Sequence, residues 1–202
     1  MLENELSTTG SRRSETEAKI ANALFEMLND GVTWREVTVE KIAAAAGIKR
    51  TLFYVYYPDR NAVLIRLGKN LVESTISGIA SHFFVEDLGR DGIRVELERF
   101  IGMMRENQFV SKALMDGSAV DQEIEEFWRG LVSVFVDPTA RWIDELKRSG
   151  GIAADVNSQM TAFCLVVMTG RLALHPLAND PKAKDDLFEA VVSIWTKSLY
   201  GS

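Results

Sequence analysis

The stretch Val37–Val63, VTVEKIAAAAGIKRTLFYVYYPDRNAV, constrains the fold more than any other part of the chain. It places one glycine between two helix-length segments. Thr38 is a good N-cap, because its hydroxyl can accept from an orphan amide of the helix it opens. The alanines that follow, Ala43–Ala46, keep that helix thin enough for close packing. Gly47 falls where the chain must turn sharply, a conformation that glycine adopts at least cost. Ile48 is an apolar peg for the turn. Lys49, Arg50 and Thr51 open a second helix that carries Leu52, Phe53, Tyr54, Val55, Tyr56 and Tyr57. Pro58 cannot continue this helix but is suited to start the next. Helix, glycine turn, helix is the layout in which the second helix enters a DNA major groove.

Charge points the same way. Between Lys41 and Lys69 there are six basic residues (Lys41, Lys49, Arg50, Arg60, Arg66, Lys69) and one acid, Asp59, in a chain whose net charge is −6. A basic island in an acidic protein marks a local polyanion site, since phosphate contacts supply most non-specific DNA affinity. The same acidity excludes a protein that coats nucleic acid over its whole surface. Cys164 is the only cysteine, which rules out an intramolecular disulfide and fits a reducing cytoplasm. No apolar run of about 18 residues predicts a membrane span, and the first residues lack an apolar signal core.

Along the chain, residues 1–13 read as a flexible polar tail. Arg12 and Arg13 are either solvated or part of an arm that reaches DNA. Ser14 to Glu17 is a capping box, and the helix it opens carries Ile20, Ala23, Leu24, Met27 and Leu28 at helical spacing. Phe25, Leu28, Ile42, Ile48, Phe53 and Leu64 are the expected core of a three-helix head spanning 14–58. From Asp59 a long helix is predicted through Phe84, about 38 Å at 1.5 Å per residue. Glu86–Gly92 reads as a loop. Helices are predicted over Ile93–Asn107 and Phe109–Met115, the latter closed by Asp116–Gly117. A further one over Val120–Arg148 is interrupted near Pro138. The last two are predicted over 155–174 and 181–200, with Asp180–Pro181 opening the second. No strand pattern or internal repeat occurs. The fold class is therefore all-α with about nine helices, and 59–202 is expected to form a larger second domain.

Thr38, Ile42, Ala43, Ala46–Gly47–Ile48, Arg50, Phe53–Tyr54, Tyr57–Pro58, Arg60 and Ala62 resemble the DNA-binding signature of the TetR family of bacterial repressors. Leu52 stands where that family commonly has threonine or serine, and Arg60 where it commonly has lysine. The second half resembles the EthR-type subgroup, whose members repress a nearby monooxygenase gene. The resembling stretches are SAVDQEIEEFW (118–128), WIDELKRSG (142–150) and VSIWTKSLYG (192–201). The resemblance implies a dimer paired through the last two helices, here 155–174 and 181–200, as a four-helix bundle. DNA logic agrees, because a two-fold dimer presents two recognition helices one helical turn apart and so matches a palindrome.

Lys49, Arg50 and Thr51 are the candidate base-edge contacts, with a phosphate contact open for Lys49. Thr38, Tyr54, Tyr56 and Arg60 are assigned to phosphates. For the second domain, Phe100, Met103, Met104, Trp128, Phe135, Trp142, Phe163 and Trp195 are large or soft side chains of the kind that line adaptable apolar pockets. Each could equally be plain core. The EthR-type resemblance implies an apolar tunnel lined by Trp128, Phe135, Thr139 and Trp195. Phe135 stands where the subgroup has tryptophan, and Val166 and Thr169 where it has two ligand-bonding asparagines. Thr139 and Thr169 are then the expected polar handles of a drier tunnel.

His82 and His175 fall in no metal-binding spacing, and no phosphate loop or nucleophile elbow occurs, so no enzyme, cofactor or metal is expected. The expected function is a cytoplasmic, ligand-responsive repressor that binds a palindromic operator as a dimer and is released by a small hydrophobic ligand. The alternatives are a small-molecule binder whose helix-turn-helix is only scaffold, or a DNA-binding regulator without ligand response.

Overall fold

A computed structural model describes residues 2–71, 73, 89–153 and 155–201, with side chains apart from those of 2–12 and 89–90. Among the described residues there are nine α-helices and no strand, in keeping with the all-α expectation. They are α1 (Leu2–Asn29), α2 (Val39–Ala45), α3 (Arg50–Tyr56), α4 (Arg60–Leu71), α5 (Gly89–Glu106), α6 (Gln108–Ser118), α7 (Gln122–Arg148), α8 (Ser158–Ala173) and α9 (Lys184–Tyr200). Short 3-10 turns occupy Trp34–Glu36 and Pro176–Asn179. The residues group into two compact units. One is 1–71 with 109–128, and the other is 72–108 with 129–202. These bounds differ from a cut at residue 58: α4, α6 and the first turns of α7 join the N-terminal helices.

In the first unit α1 packs on α2, α3 and α4. Its core is Ile20, Leu24, Leu28, Trp34, Val37, Ile42, Phe53, Val63 and Leu64, all almost fully buried. Of the expected core, Phe25 is wrong: it is exposed, because the inward stripe of α1 runs through Ile20, Leu24 and Leu28 and position 25 lies beside it. Trp34 and Val37 fill the space instead. Ile48 is half-buried. Ser14 caps nothing, since α1 already begins at Leu2, so the segment read as a tail is helical. A capping box satisfies orphan amides only where the preceding residues leave the helix. Here the backbone continues, and i,i+4 pairs such as Arg13–Glu17 and Glu15–Lys19 support it. The long helix expected after Asp59 is present as α4 to Leu71; its continuation to Phe84 lies outside the described residues.

Gly117 does not stop α6, which runs to Ser118. A Cβ there would lie 2.9 Å from Ile124 Cδ1 and 3.0 Å from Trp34 Nε1. The glycine serves close packing, not termination. Gly68 does the same for α4, where a Cβ would lie 2.4 Å from Phe127 Cε1. Asn61 Nδ2 donates to Asp121 Oδ2 at 2.6 Å, tying the start of α4 to the turn before α7.

The second unit buries Ile93, Leu97, Phe100, Val136, Trp142, Ile143, Leu165, Val191, Trp195 and Leu199. Helix α5 contacts both α8 and α9, and Arg94 of α5 forms two 2.6 Å bonds to Glu189 of α9. Four features differ from the sequence reading. Gly89–Gly92 is the first turn of α5, not a loop: Asp91 suits a helix N-terminus, and burial of Ile93 and Leu97 outweighs the glycine cost of about 1 kcal/mol each. Helix α7 continues through Pro138 without interruption, because the buried Phe135, Val136, Thr139 and Ala140 hold both sides of the missing bond in place. Helix α9 starts at Lys184, since Asp180 spends its side chain on the amide of Lys182 at 2.9 Å and Pro181 stays in a turn. Helix α8 starts at Ser158, where the Asn157 side chain accepts from Met160 N at 3.0 Å.

Candidate nucleic-acid interface and apolar core

The turn at residue 47 follows from hydrogen bonding. Gly47 N donates to Ala44 O at 3.1 Å and Ile48 N to Ala43 O at 2.9 Å. This is the Schellman pattern, which requires a left-handed residue just past the helix. Gly47 has φ +67°, and nothing lies within 4 Å of where a Cβ would stand, so backbone conformation alone demands glycine. Thr38 Oγ1 caps α2 by accepting from Lys41 N at 3.3 Å. Lys49 is the N-cap residue of α3 and keeps its side chain in solvent.

Phe53 and Tyr57 face the core, packed ring against ring at 6.1 Å. The Tyr57 hydroxyl donates to Glu17 O at 3.5 Å, and burial raises its pKa. The opposite side of α3 exposes Arg50, Thr51, Leu52, Tyr54 and Val55, while Tyr56 is half-buried. Thus Thr38, Lys49, Arg50, Thr51 and Tyr54 are exposed, and the last four cluster on one short helix. Arg50 is held in place. Its Nη1 pairs with Glu40 Oε1 at 2.5 Å and its Nη2 donates to Tyr54 Oη at 3.1 Å. Its guanidinium also lies 5.6 Å from the Tyr54 ring. These contacts raise the Arg50 pKa, the Tyr54 bond first. The Glu40 carboxyl lies below its ordinary value, first through its own backbone amide, then through Thr38 and Arg50.

Arg60, expected at a phosphate, makes contacts within the protein itself. Its guanidinium lies 4.5 Å over the Trp34 ring, and Nη1 donates to the carbonyls of Trp34 (3.0 Å) and Val37. It is half-buried and clamps α4 to the segment leading into α2. A planar cation stacked on an aromatic, with Nη1 bonded to two carbonyls, serves the fold. Sequence reading missed Trp34 as its platform and Glu40 as the brace of Arg50. The available signals were a tryptophan just before the helix-turn-helix and an acid in the first turn of α2.

In the second unit Phe100, Met103, Met104, Phe135, Thr139, Trp142, Thr169 and Trp195 are all buried. Phe100 and Phe135 meet edge to face at 5.1 Å. Two of the ten expected ligand residues stand apart. Trp128 is half-buried and belongs to the first unit. Phe163 is 47 % exposed, so it is no pocket residue as α8 stands here. It faces outward because the inward side of α8 is Ala162, Leu165, Val166 and Thr169. Nor are the threonines free handles. Thr139 Oγ1 donates to Phe135 O at 2.8 Å and Thr169 Oγ1 to Leu165 O at 2.7 Å, while Trp195 Nε1 donates to Thr169 Oγ1 at 2.8 Å. Their protons go to the preceding helical turn, as buried threonines commonly arrange.

A cavity of about 180 Å³ lies between α5, α8, the Pro176–Asn179 turn and α9, with Ile101, Arg105, Leu172, Phe188 and Val191 in its wall. None of the expected ligand residues lines it. Met160, Phe163 and Val167 of α8 and Ile194 of α9 form large exposed apolar positions on the last two helices. Among the described residues no group of His, Cys, Asp and Glu could hold a metal ion, and no helix is long and apolar enough to cross a membrane.

The chain is similar to known transcriptional regulators. The family profile described as Transcriptional regulator EthR, C-terminal domain, matches residues 93–201, more than half of the chain. The HTH-type transcriptional regulator EthR of Mycolicibacterium smegmatis is 28 % identical over 185 residues, covering 89 % of this chain and 84 % of that protein. Its namesake from Mycobacterium tuberculosis is 27 % identical over 176 residues, covering 82 % and 79 %. Among solved structures, FadR from Bacillus subtilis in complex with stearoyl-CoA superposes with a TM-score of 0.69 at 16 % identity, over 92 % of this chain and 98 % of that one. A TetR transcription regulator from Haloarcula marismortui gives 0.66 at 15 % identity, over 93 % and 97 %. At such identities the structural likeness speaks for the fold, and the family rests on the profile match. With its helix-turn-helix and all-helical second unit, the chain belongs to the EthR family of TetR-type transcriptional regulators.

Proposed function

We propose that this regulator is a cytoplasmic repressor that binds a palindromic operator as a homodimer and leaves it when a small hydrophobic ligand occupies the second unit. The observation that carries the DNA reading is the exposed run Lys49–Arg50–Thr51, delivered by the Gly47 turn at the head of α3. Lys49 and Arg50 offer charge to a duplex, and Arg50 offers a fork suited to guanine O6 and N7. In this reading the exposed Thr38 and Tyr54 contact the phosphate backbone, and the half-buried Tyr56 joins them.

The dimer reading draws on Met160, Phe163, Val167 and Ile194. Large apolar side chains exposed on α8 and α9, two helices joined by the Trp195–Thr169 hydrogen bond, suit a self-complementary interface. The ligand reading draws on the aromatic and methionine interior of the second unit, and on the stearoyl-CoA bound by the fold relative from Bacillus subtilis. Because Thr139 and Thr169 commit their protons internally, an apolar ligand is favoured. Its effect on operator affinity is a coupling free energy, typically about 1–3 kcal/mol.

The test is fluorescence anisotropy with labelled DNA from the protein's own promoter region, titrated at several salt concentrations. Specific binding with a steep salt slope supports the reading. A protein indifferent to every fragment at low salt refutes it. A ligand that binds tightly without changing operator affinity refutes the release step alone.

A further inference from the structure

The first unit exposes five large apolar side chains among its described residues: Phe25, Leu52, Tyr54, Val55 and Val120. Three of the five fall on α3, a helix of seven residues. Val55 is 64 % exposed and Leu52 40 %. At about 100° per residue, Val55 lies roughly 160° around the axis from the buried Phe53. It therefore occupies the middle of the outward face. Thr51 is one turn before it, Leu52 lies on one flank, and Arg50 with Tyr54 forms the other.

An exposed apolar centre gains nothing from plain solvent, and an apolar protein partner would leave the charge of Lys49, at the head of the same helix, without a counterpart. A DNA major groove answers both. Its walls carry phosphates, and its floor carries the C5-methyl groups of thymine, which aliphatic side chains recognise by contact. We propose that Val55, with Leu52 beside it, reads thymine methyl groups, so that each operator half-site holds at least one thymine at a fixed place beneath the middle of α3. This rests on the DNA-binding reading above and names the base chemistry it selects.

The experiment first selects sites from a random duplex pool with the intact protein. Each thymine of the selected half-site is then replaced in turn by deoxyuridine, which removes only the methyl group. Burying one methyl-sized group predicts about a fourfold loss of affinity at the contacted thymine. That loss should vanish in Val55→Ala or Leu52→Ala, which are surface changes expected to melt with the wild type. If deoxyuridine is neutral at every position, or its effect persists undiminished in both variants, methyl readout is refuted while DNA binding stands. If no sequence is enriched at low salt, the DNA-binding reading itself fails and takes this proposal with it. Because the deoxyuridine arm alters only the DNA, a neutral result there refutes methyl readout even if a variant proves unstable.

Discussion

Replacing Gly117 by alanine separates two effects of one methyl group. In a helix interior the exchange is favourable by about 0.8–1.0 kcal/mol, because glycine surrenders more backbone entropy. At Gly117 the new Cβ would lie 2.9 Å from Ile124 Cδ1, 3.0 Å from Trp34 Nε1 and 3.3 Å from Ile124 Cγ2. Optimal carbon contacts are about 3.5–4.0 Å. Ile124 is 0 % and Trp34 3 % exposed, so neither can swing into solvent. Overpacking of this kind costs about 1–3 kcal/mol. Gly130 of α7 is the matched control: it is exposed, and nothing lies within 4 Å of its added Cβ. Gly130→Ala should stabilise, and the difference between the two variants isolates the steric cost. For a chain of this length each kcal/mol moves Tm by about 2–4 °C. Thermal melts at one protein concentration should place Gly117→Ala several degrees below Gly130→Ala. A Gly117→Ala protein that melts with or above its control refutes the close approach of α6 to Trp34.

Arg60→Ala and Arg60→Lys should both lower the urea midpoint, because lysine cannot stack flat on Trp34 while serving two carbonyls. Neither should change the salt slope of DNA binding, whereas loss of a phosphate contact would flatten it by about one. Glu40→Gln should release Arg50 and remove a negative charge from the proposed DNA face. Non-specific duplexes should then bind more tightly and the specific to non-specific ratio should fall; an unchanged ratio by anisotropy would remove Glu40 as a brace. Phe163→Glu should convert a dimer into a monomer by light scattering at micromolar concentration, and a dimer that survives it would place the interface elsewhere. The carboxyls of Glu36, Glu40 and Glu189 are held below the ordinary 4.5, first by the Thr33 hydroxyl, the Glu40 amide and Arg94 respectively. Depressed acids stabilise the fold fully above their unfolded pKa and lose that contribution as pH falls through the lowered one. The urea midpoint should therefore hold from about pH 8 to 5 and drop below about 4; a decline that starts near pH 7 would assign the dependence to other groups.

The helix-turn-helix was legible because local chemistry decides it. Thr38 caps, Gly47 takes the left-handed turn, and Phe53 and Tyr57 alternate inward with exposed neighbours; none of this needs distant partners. Boundaries set by tertiary packing were not legible. Gly117 resembles a helix stop until Trp34 and Ile124 are seen against it, and Pro138 resembles a break until the buried residues on either side are counted. Arg60 carried the right charge for phosphate, but its platform lies 26 residues earlier in the sequence. The sequence ranked Phe163 with the interior aromatics by residue type, yet its direction depends on which side of α8 meets α5. Thr139 and Thr169 are expected as polar handles for a ligand, and both are buried; periodicity cannot tell that their protons go to the carbonyls of Phe135 and Leu165.

Trp34 carries a guanidinium over its ring, and Gly117 stands so close that an added Cβ would lie 3.0 Å from the indole nitrogen. Any loosening of α4 or α6 from the corner before α2 must let water reach that indole. Its ultraviolet emission then becomes a gauge of head integrity that needs no attached dye. In a protein whose other tryptophans are exchanged for phenylalanine, a red shift on titration with a candidate effector would report strain arriving at the DNA-facing helices before any DNA is added.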